Sequence, residues 1–233
     1  MKEIRVFIIM ILPLTLSFHA MAQQDQSFRI NSVRGDSTGF YRSVYKYPQF
    51  ANGYVLLNNQ QLGSALVNYN RLSGQMLFIN PKGDTLEFAD PEKIEWVAIL
   101  NDTFHFFDKA YIQKMTHYAD GINLYKKETI RYNGKEKKSG YGGYSTTTAA
   151  NSINKVSSEN KIEKISVDEN ALYVPTTVYY LSSPSGKYLL AVKKNFEKLF
   201  AQHEKKPGEY LQQNKVNFKN DTDLLALLAW LQN

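Results

Sequence analysis

The chain reads as an α+β protein: an antiparallel β-meander, forming a sheet or a partly closed sandwich or barrel, with a small C-terminal helical cap. Three observations carry this reading. From Tyr54 to Tyr132, short runs of β-branched and aromatic residues are broken by turn residues every few positions. After about Val192 the apolar spacing changes from a strand period to a helical one. With 43% hydrophobic residues and a net charge of +6 over 233 residues, the chain has enough apolar material for a folded core.

Residues 1–22 have the three-part plan of a secretory signal peptide: a basic start (Lys2, Arg5), an apolar run from Val6 to Phe18, and the small-x-small tripeptide Ala20-Met21-Ala22. Cleavage is expected between Ala22 and Gln23. The apolar run is shorter than the ~20 residues that span a bilayer, and Pro13 interrupts it. No later stretch has spanning length, so the mature chain is expected to hold no transmembrane helix.

Residues 23–53 form a lead-in segment, and 54–133 the antiparallel β-rich region. Tyr54–Leu57, Ser64–Tyr69, Gln75–Ile79, Thr85–Phe88, Ile94–Leu100 and Thr103–Phe107 have strand length and composition. Asn58-Asn59, Ser73-Gly74, Pro81 to Asp84, Asp90-Pro91 and Asn101-Asp102 supply the turns. Two longer runs, Ala110–His117 and Ile122–Tyr132, follow. The links are too short for crossover helices, so neighbouring strands should pair as antiparallel hairpins. Leu66, Asn68 and Asn70 alternate with Val67 and Tyr69, which suggests one wet and one buried face.

Residues 134–166 differ in kind. Tyr141-Gly142-Gly143-Tyr144 leads into Ser, Thr, Asn and Lys with few large apolar side chains, a composition expected of a flexible insert. Closing strands are expected within 167–192, at Leu172–Leu181 and Tyr188–Val192. The helical cap occupies 193–233. Its first helix places Val192, Phe196, Leu199 and Phe200 on one face and ends at Pro207-Gly208, and Glu209–Asn214 is a short second helix. An N-cap within Asn220–Thr222 opens a last helix striped by Leu224, Leu225, Leu227, Leu228 and Leu231.

Several chemistries are excluded or disfavoured. Without cysteine there is no disulfide scaffold, thiolate metal site, cysteine nucleophile or acylated lipoprotein. The basic residues are 22 Lys and only 6 Arg, a solvated-surface pattern that makes nucleic acid an unlooked-for partner. His105, His117 and His203 lack metal-ligand spacing. If Asp108-Lys109 turns a hairpin, His105 falls opposite Ile112 and His117 lies too far along the ladder to share an ion. His203-Glu204 opens like a zinc-protease helix, but Pro207 stands in place of the second histidine. Gly35-Asp36-Ser37 lacks the apolar strand and the later Asp-x-x-His that a hydrolase block needs, and Arg34-Gly35-Asp36 is uninformative alone. No catalytic residue, metal or cofactor is assigned.

Two sets of side chains stay open as sites. The acids Asp84, Glu87, Asp90, Glu92, Glu95 and Asp102 would serve an envelope hydrolase of glycan or peptide if two of them face each other. The chain also holds 16 tyrosines, and Tyr41, Tyr45 and Tyr47 before the meander, with Tyr141 and Tyr144 in the insert, suit sugar stacking or protein contact. Tyr141 and Tyr144 are the ligand-binding candidates.

Gly53-Tyr54-Val55 with Asn68-Tyr69-Asn70, Gly83-Asp84-Thr85, the Tyr-Gly-Gly-Tyr-Ser stretch from Tyr141 to Ser145, and the tail Tyr210 to Phe218 followed by a leucine helix are together similar to a family of uncharacterised secreted proteins of Bacteroidota-type bacteria. The resemblance implies a Gram-negative envelope setting and no assigned activity. The resulting expectation is an exported, non-enzymatic protein that binds or scaffolds an envelope protein or glycan in the periplasm or at the cell surface. The alternatives are the envelope hydrolase and an outer-membrane-associated protein.

Overall fold

Strand-forming runs separated by tight turns give mostly antiparallel sheet in a computed structural model, which describes residues 28–29, 43–116, 121–138, 144–147 and 171–232. The strands are β1 (Phe28–Arg29), β2 (Ala51–Leu57), β3 (Leu62–Asn70), β4 (Gln75–Ile79), β5 (Thr85–Glu87), β6 (Ile94–Ile99), β7 (Asp102–Phe107), β8 (Ala110–Lys114), β9 (Leu124–Lys138), β10 (Tyr144–Thr147), β11 (Ala171–Ser182) and β12 (Tyr188–Leu190). The helices are α1 (Lys193–Leu199), α2 (Pro207–Gln213) and α3 (Asp221–Gln232). The α+β class and the helical cap are as the sequence predicts. Among the described residues, no helix is long and apolar enough to cross a membrane.

The ladder runs β1-β11-β9-β8-β7-β6-β2-β3-β4-β5, with β10 added to β9 and β12 to β11. Among the described residues β1 and β5 do not pair, so the sheet is not closed. The link from β5 to β6 departs from hairpin order. After β5 the chain returns past four strand spacings, about 19 Å, to pair β6 with β2. The six residues from Phe88 to Lys93 could reach about 20 Å only if fully extended, yet Pro91–Lys93 is a 3₁₀ turn. The sheet must therefore curl, and contacts across the curl show it. The Tyr111 amide donates to the Gly74 carbonyl at 2.8 Å, and the Ile130 amide to that of Arg71 at 2.9 Å. Gly74 has φ +73°, and a Cβ there would lie 2.8 Å from Ala110 Cβ, so both turn and approach require glycine.

The curl packs Val55, Val67, Tyr69, Met76, Val97, Ile99, Phe104 and Tyr111 into one cluster. The cap covers the far end of the same face, where Leu124, Tyr179 and Leu181 meet Phe196, Phe200, Leu224, Leu227, Leu228 and Leu231. Asn220 caps α3, its Oδ1 accepting from the Asp223 amide at 3.1 Å. Three details of the cap differ from expectation. Val192 is exposed, because it precedes α1 as its cap. The first cap helix ends at Leu199 and not at Pro207-Gly208, and Pro207 instead opens α2, since a missing N–H costs nothing in a first helical turn.

Two further corrections concern the sheet. The expected wet face of β3 is covered at one end: Leu66 is exposed, but Asn68 and Asn70 are buried beneath residues 44–47. Asn68 is tolerated because it imitates a neighbouring strand, Oδ1 accepting from the Tyr47 amide at 3.2 Å and Nδ2 donating to its carbonyl at 3.0 Å. Asn70 closes the next turn, its Oδ1 accepting from the Leu72 amide at 2.9 Å. The proposed 134–166 insert also begins inside a strand. β9 continues to Lys138 and pairs with Tyr144–Thr147, so 134–138 and 144–147 belong to the sheet. Ladder hydrogen bonds to β10 and, at Ala171, to β11 sustain this extension despite its polar sequence. The remainder of the insert, Tyr141 included, and the Ala22–Gln23 cleavage site lie outside the described residues.

Candidate binding groove

Alternation along β6 and β7 divides their side chains between two faces. Val97, Ile99 and Phe104 point into the curl, and Trp96, Ala98, Thr103 and His105 therefore point out. Register joins these outward residues into rows. Tyr54, Ala98, Thr103 and Lys114 are successive partners across β2, β6, β7 and β8. Leu56 faces Trp96, and His105 faces Ile112, on the adjoining row. Ala98 and Thr103 are short and Trp96, His105 and Lys114 are long, so the middle of the face is hollow. The result is an open groove of about 640 Å³ lined by Glu95, Trp96, Ala98, Asn101, Thr103, His105, Lys114, Met115 and Thr116. Its volume is that of a small-molecule site.

Electrostatically the groove is mixed. His105 is held below its ordinary value, first by burial and then by the Lys114 charge, with Glu95 pulling the other way. Its imidazole is therefore neutral at pH 7, one nitrogen donating and the other accepting. The ring packs edge-on to Tyr125 with centroids 5.5 Å apart. Lys114 is also held below its ordinary value by burial. Glu95, on the rim, accepts a 3.2 Å bond from Gln60. The Thr116 hydroxyl oxygen accepts from the Leu124 amide at 2.9 Å and fixes that end of the groove to β9. A second cavity of about 570 Å³, lined by Val55, Leu57, Ala65, Phe78 and Phe88 with Gln61 to Ser64, opens at the free end of the curl and is largely apolar.

The acids kept open for a hydrolase are spread over separate turns and faces. Asp84 closes its own turn with Asn80, Asp90 pairs with Lys93 at 2.9 Å, and Glu87 sits half-buried on the edge strand, held above its ordinary value by desolvation. Asp102 faces inward, accepting from the Tyr47 hydroxyl at 2.6 Å and from Gln113 Nε2 at 2.7 Å. A separate inner chain of charges runs from Lys46 through Glu128 (2.5 Å) and Lys126 (3.3 Å) to Asp221 (3.0 Å), which also accepts from the Tyr179 hydroxyl. It joins the Val44–Tyr47 segment, the sheet and the start of α3.

The tyrosines divide differently from expectation. Tyr45 is a core residue against Phe50, and Tyr47 donates its hydroxyl to Asp102. Tyr144 stands on β10 opposite Lys138. His105 faces Ile112 across the Asp108-Lys109 hairpin, as the sequence predicts; His203 packs on Phe200. Tyr41 and His117 lie outside the described residues. Trp96, on the outward face, escaped the sequence reading. The available signal was the alternation in Trp96-Val97-Ala98-Ile99, which places a tryptophan opposite the Val/Ile face. Comparisons with family models, curated proteins and solved structures return no match.

Proposed function

We propose that this is an exported, non-enzymatic binding protein of a Gram-negative-type envelope, which holds its ligand in the groove between Glu95 and Thr116. The observation that carries the reading is the groove itself: a half-buried tryptophan in a cavity of about 640 Å³ whose walls combine donors and acceptors. The dispersal of the acids between Asp84 and Asp102 into separate turns and faces favours binding over hydrolysis, because paired-acid catalysis needs two carboxylates across one substrate. Export rests on the signal-like 1–22 segment, and the envelope setting also on the family resemblance.

Two measurements test this. Intact mass of the protein recovered from its native cell should correspond to a chain beginning at Gln23; a chain retaining Met1 in the cytosol overturns export. Affinity capture from envelope extract should enrich a component with the wild-type protein and lose it with Trp96→Ala. Equal capture by both moves the binding site elsewhere.

A further inference from the structure

We infer that the ligand of the Trp96 groove is an oligosaccharide, an inference that rests on the binding reading above. A pyranose ring presents an apolar C–H face and an equatorial rim of hydroxyls that donate and accept. The groove offers the matching pair of surfaces. Trp96 supplies an aromatic plane on the outward face of β6, and the short side chains of Ala98 and Thr103 leave room beside it. Around that hollow stand Glu95 as acceptor, Asn101 and Thr103 as donor and acceptor, Lys114 as donor, and neutral His105, whose N–H is already engaged by the Glu95 backbone, as acceptor. Glu95 and Lys114 balance one another, so the lining carries no net charge to select an ionic ligand.

The shape extends the inference from one ring to several. Tyr54, 57% exposed, is the direct partner of Ala98, and the row Tyr54, Ala98, Thr103, Lys114 crosses four strands. At about 4.8 Å per strand this is a platform about 14 Å long, with an aromatic ring at its β2 end and Trp96 on the neighbouring row. A peptide would be expected to add to an open strand edge through its backbone, whereas β6, β7 and β8 are each paired on both sides and offer side chains alone.

Trp96 reports on its own occupancy, since the only other tryptophan is Trp230, in α3 against Tyr210. In mature protein carrying Trp230→Phe, hexasaccharides of the cellulose, chitin, xylan and mannan types are titrated while tryptophan emission is followed. A tryptic digest of envelope proteins is titrated in parallel. At least one hexasaccharide should shift the emission, with half-saturation on the order of 0.1 mM, an ordinary weak affinity. Tyr54→Ala should weaken that response at least threefold. Isothermal calorimetry of Trp96→Ala should show at least tenfold weaker binding, with far-ultraviolet circular dichroism confirming that the variant folds. A response to the peptide digest alone overturns the saccharide assignment and leaves groove binding standing. Silence toward both overturns both.

Discussion

Asp108 and Lys109 turn the β7–β8 hairpin with φ of 50° and 60°. A two-residue turn of this hand matches the strand twist but asks for residues tolerant of the left-handed region. Asp tolerates it and Lys does not, at about 1 kcal/mol or more. Lys109 is exposed, and its carbonyl, which accepts from Gln75 Nε2 at 2.7 Å, is present in any residue. Lys109→Gly should therefore stabilise the protein by up to about 1 kcal/mol, after the entropy glycine adds to the unfolded chain. Urea unfolding checks this, and an unchanged or lower midpoint would show the turn to be unstrained. Asn68 presents the opposite case. Its amide bonds both backbone groups of Tyr47 inside the core, so Asn68→Ala strands a donor and an acceptor and should cost about 2–3 kcal/mol in the same measurement. The hairpin was legible in the sequence because Asp-Lys between two strand-like runs is a local signal. Burial of Asn68 was not, because what covers it comes from a segment more than twenty positions earlier, and an asparagine in a strand looks the same whether water or a backbone answers it.

Among elements, the join between sheet and cap depends most on charge. Burial pushes the Glu128 carboxyl up, but Lys46 and Lys126 more than offset this and hold it below 4.5. Asp221 is likewise raised by burial and, on balance, held below 3.8 by Tyr179 and Lys126. Both carboxyls thus bind protons less readily folded than unfolded. Their contribution is complete above the unfolded values and is lost as pH falls through the folded ones. Lys126, its burial outweighed by Asp221 and Glu128, lies above 10.5, so its share persists until alkaline pH. Glu87, raised by burial, has the opposite sign and is relieved by acid. Urea midpoints should therefore fall between about pH 6 and pH 3 in the wild type. In Glu128→Gln the midpoint should already be lower at pH 6 and fall less with acid. An identical acid slope in both would place the pH dependence elsewhere. The leucine stripe of α3 was legible from its spacing, whereas this network was not. Its members at positions 46, 126, 128 and 221 meet only because the curl and the cap bring three distant segments together.

For the whole molecule, alternation and turn chemistry revealed an antiparallel β protein with a helical cap, but not the path of its chain. The return from β5 to β6 beside β2 depends on curvature of the entire sheet, to which no short window of sequence corresponds. The same limit hid the groove. Each lining residue is ordinary in its strand, and only the register of β2, β6, β7 and β8 sets Tyr54, Ala98, Thr103 and Lys114 in one row beside Trp96. Among the described residues, two cavities along the curl are unlike, the mixed groove outside and the apolar one at its free end, and ligand binding is assigned to the first. Hydrogen–deuterium exchange of the mature protein, alone and after equilibration with envelope extract, bears on that assignment most directly. Protection gained upon binding should concentrate in peptides spanning 94–116, with a smaller gain in β2 around Tyr54. Protection confined to the helical cap, or to the apolar mouth around Leu62 and Phe88, with 94–116 unchanged, would contradict it.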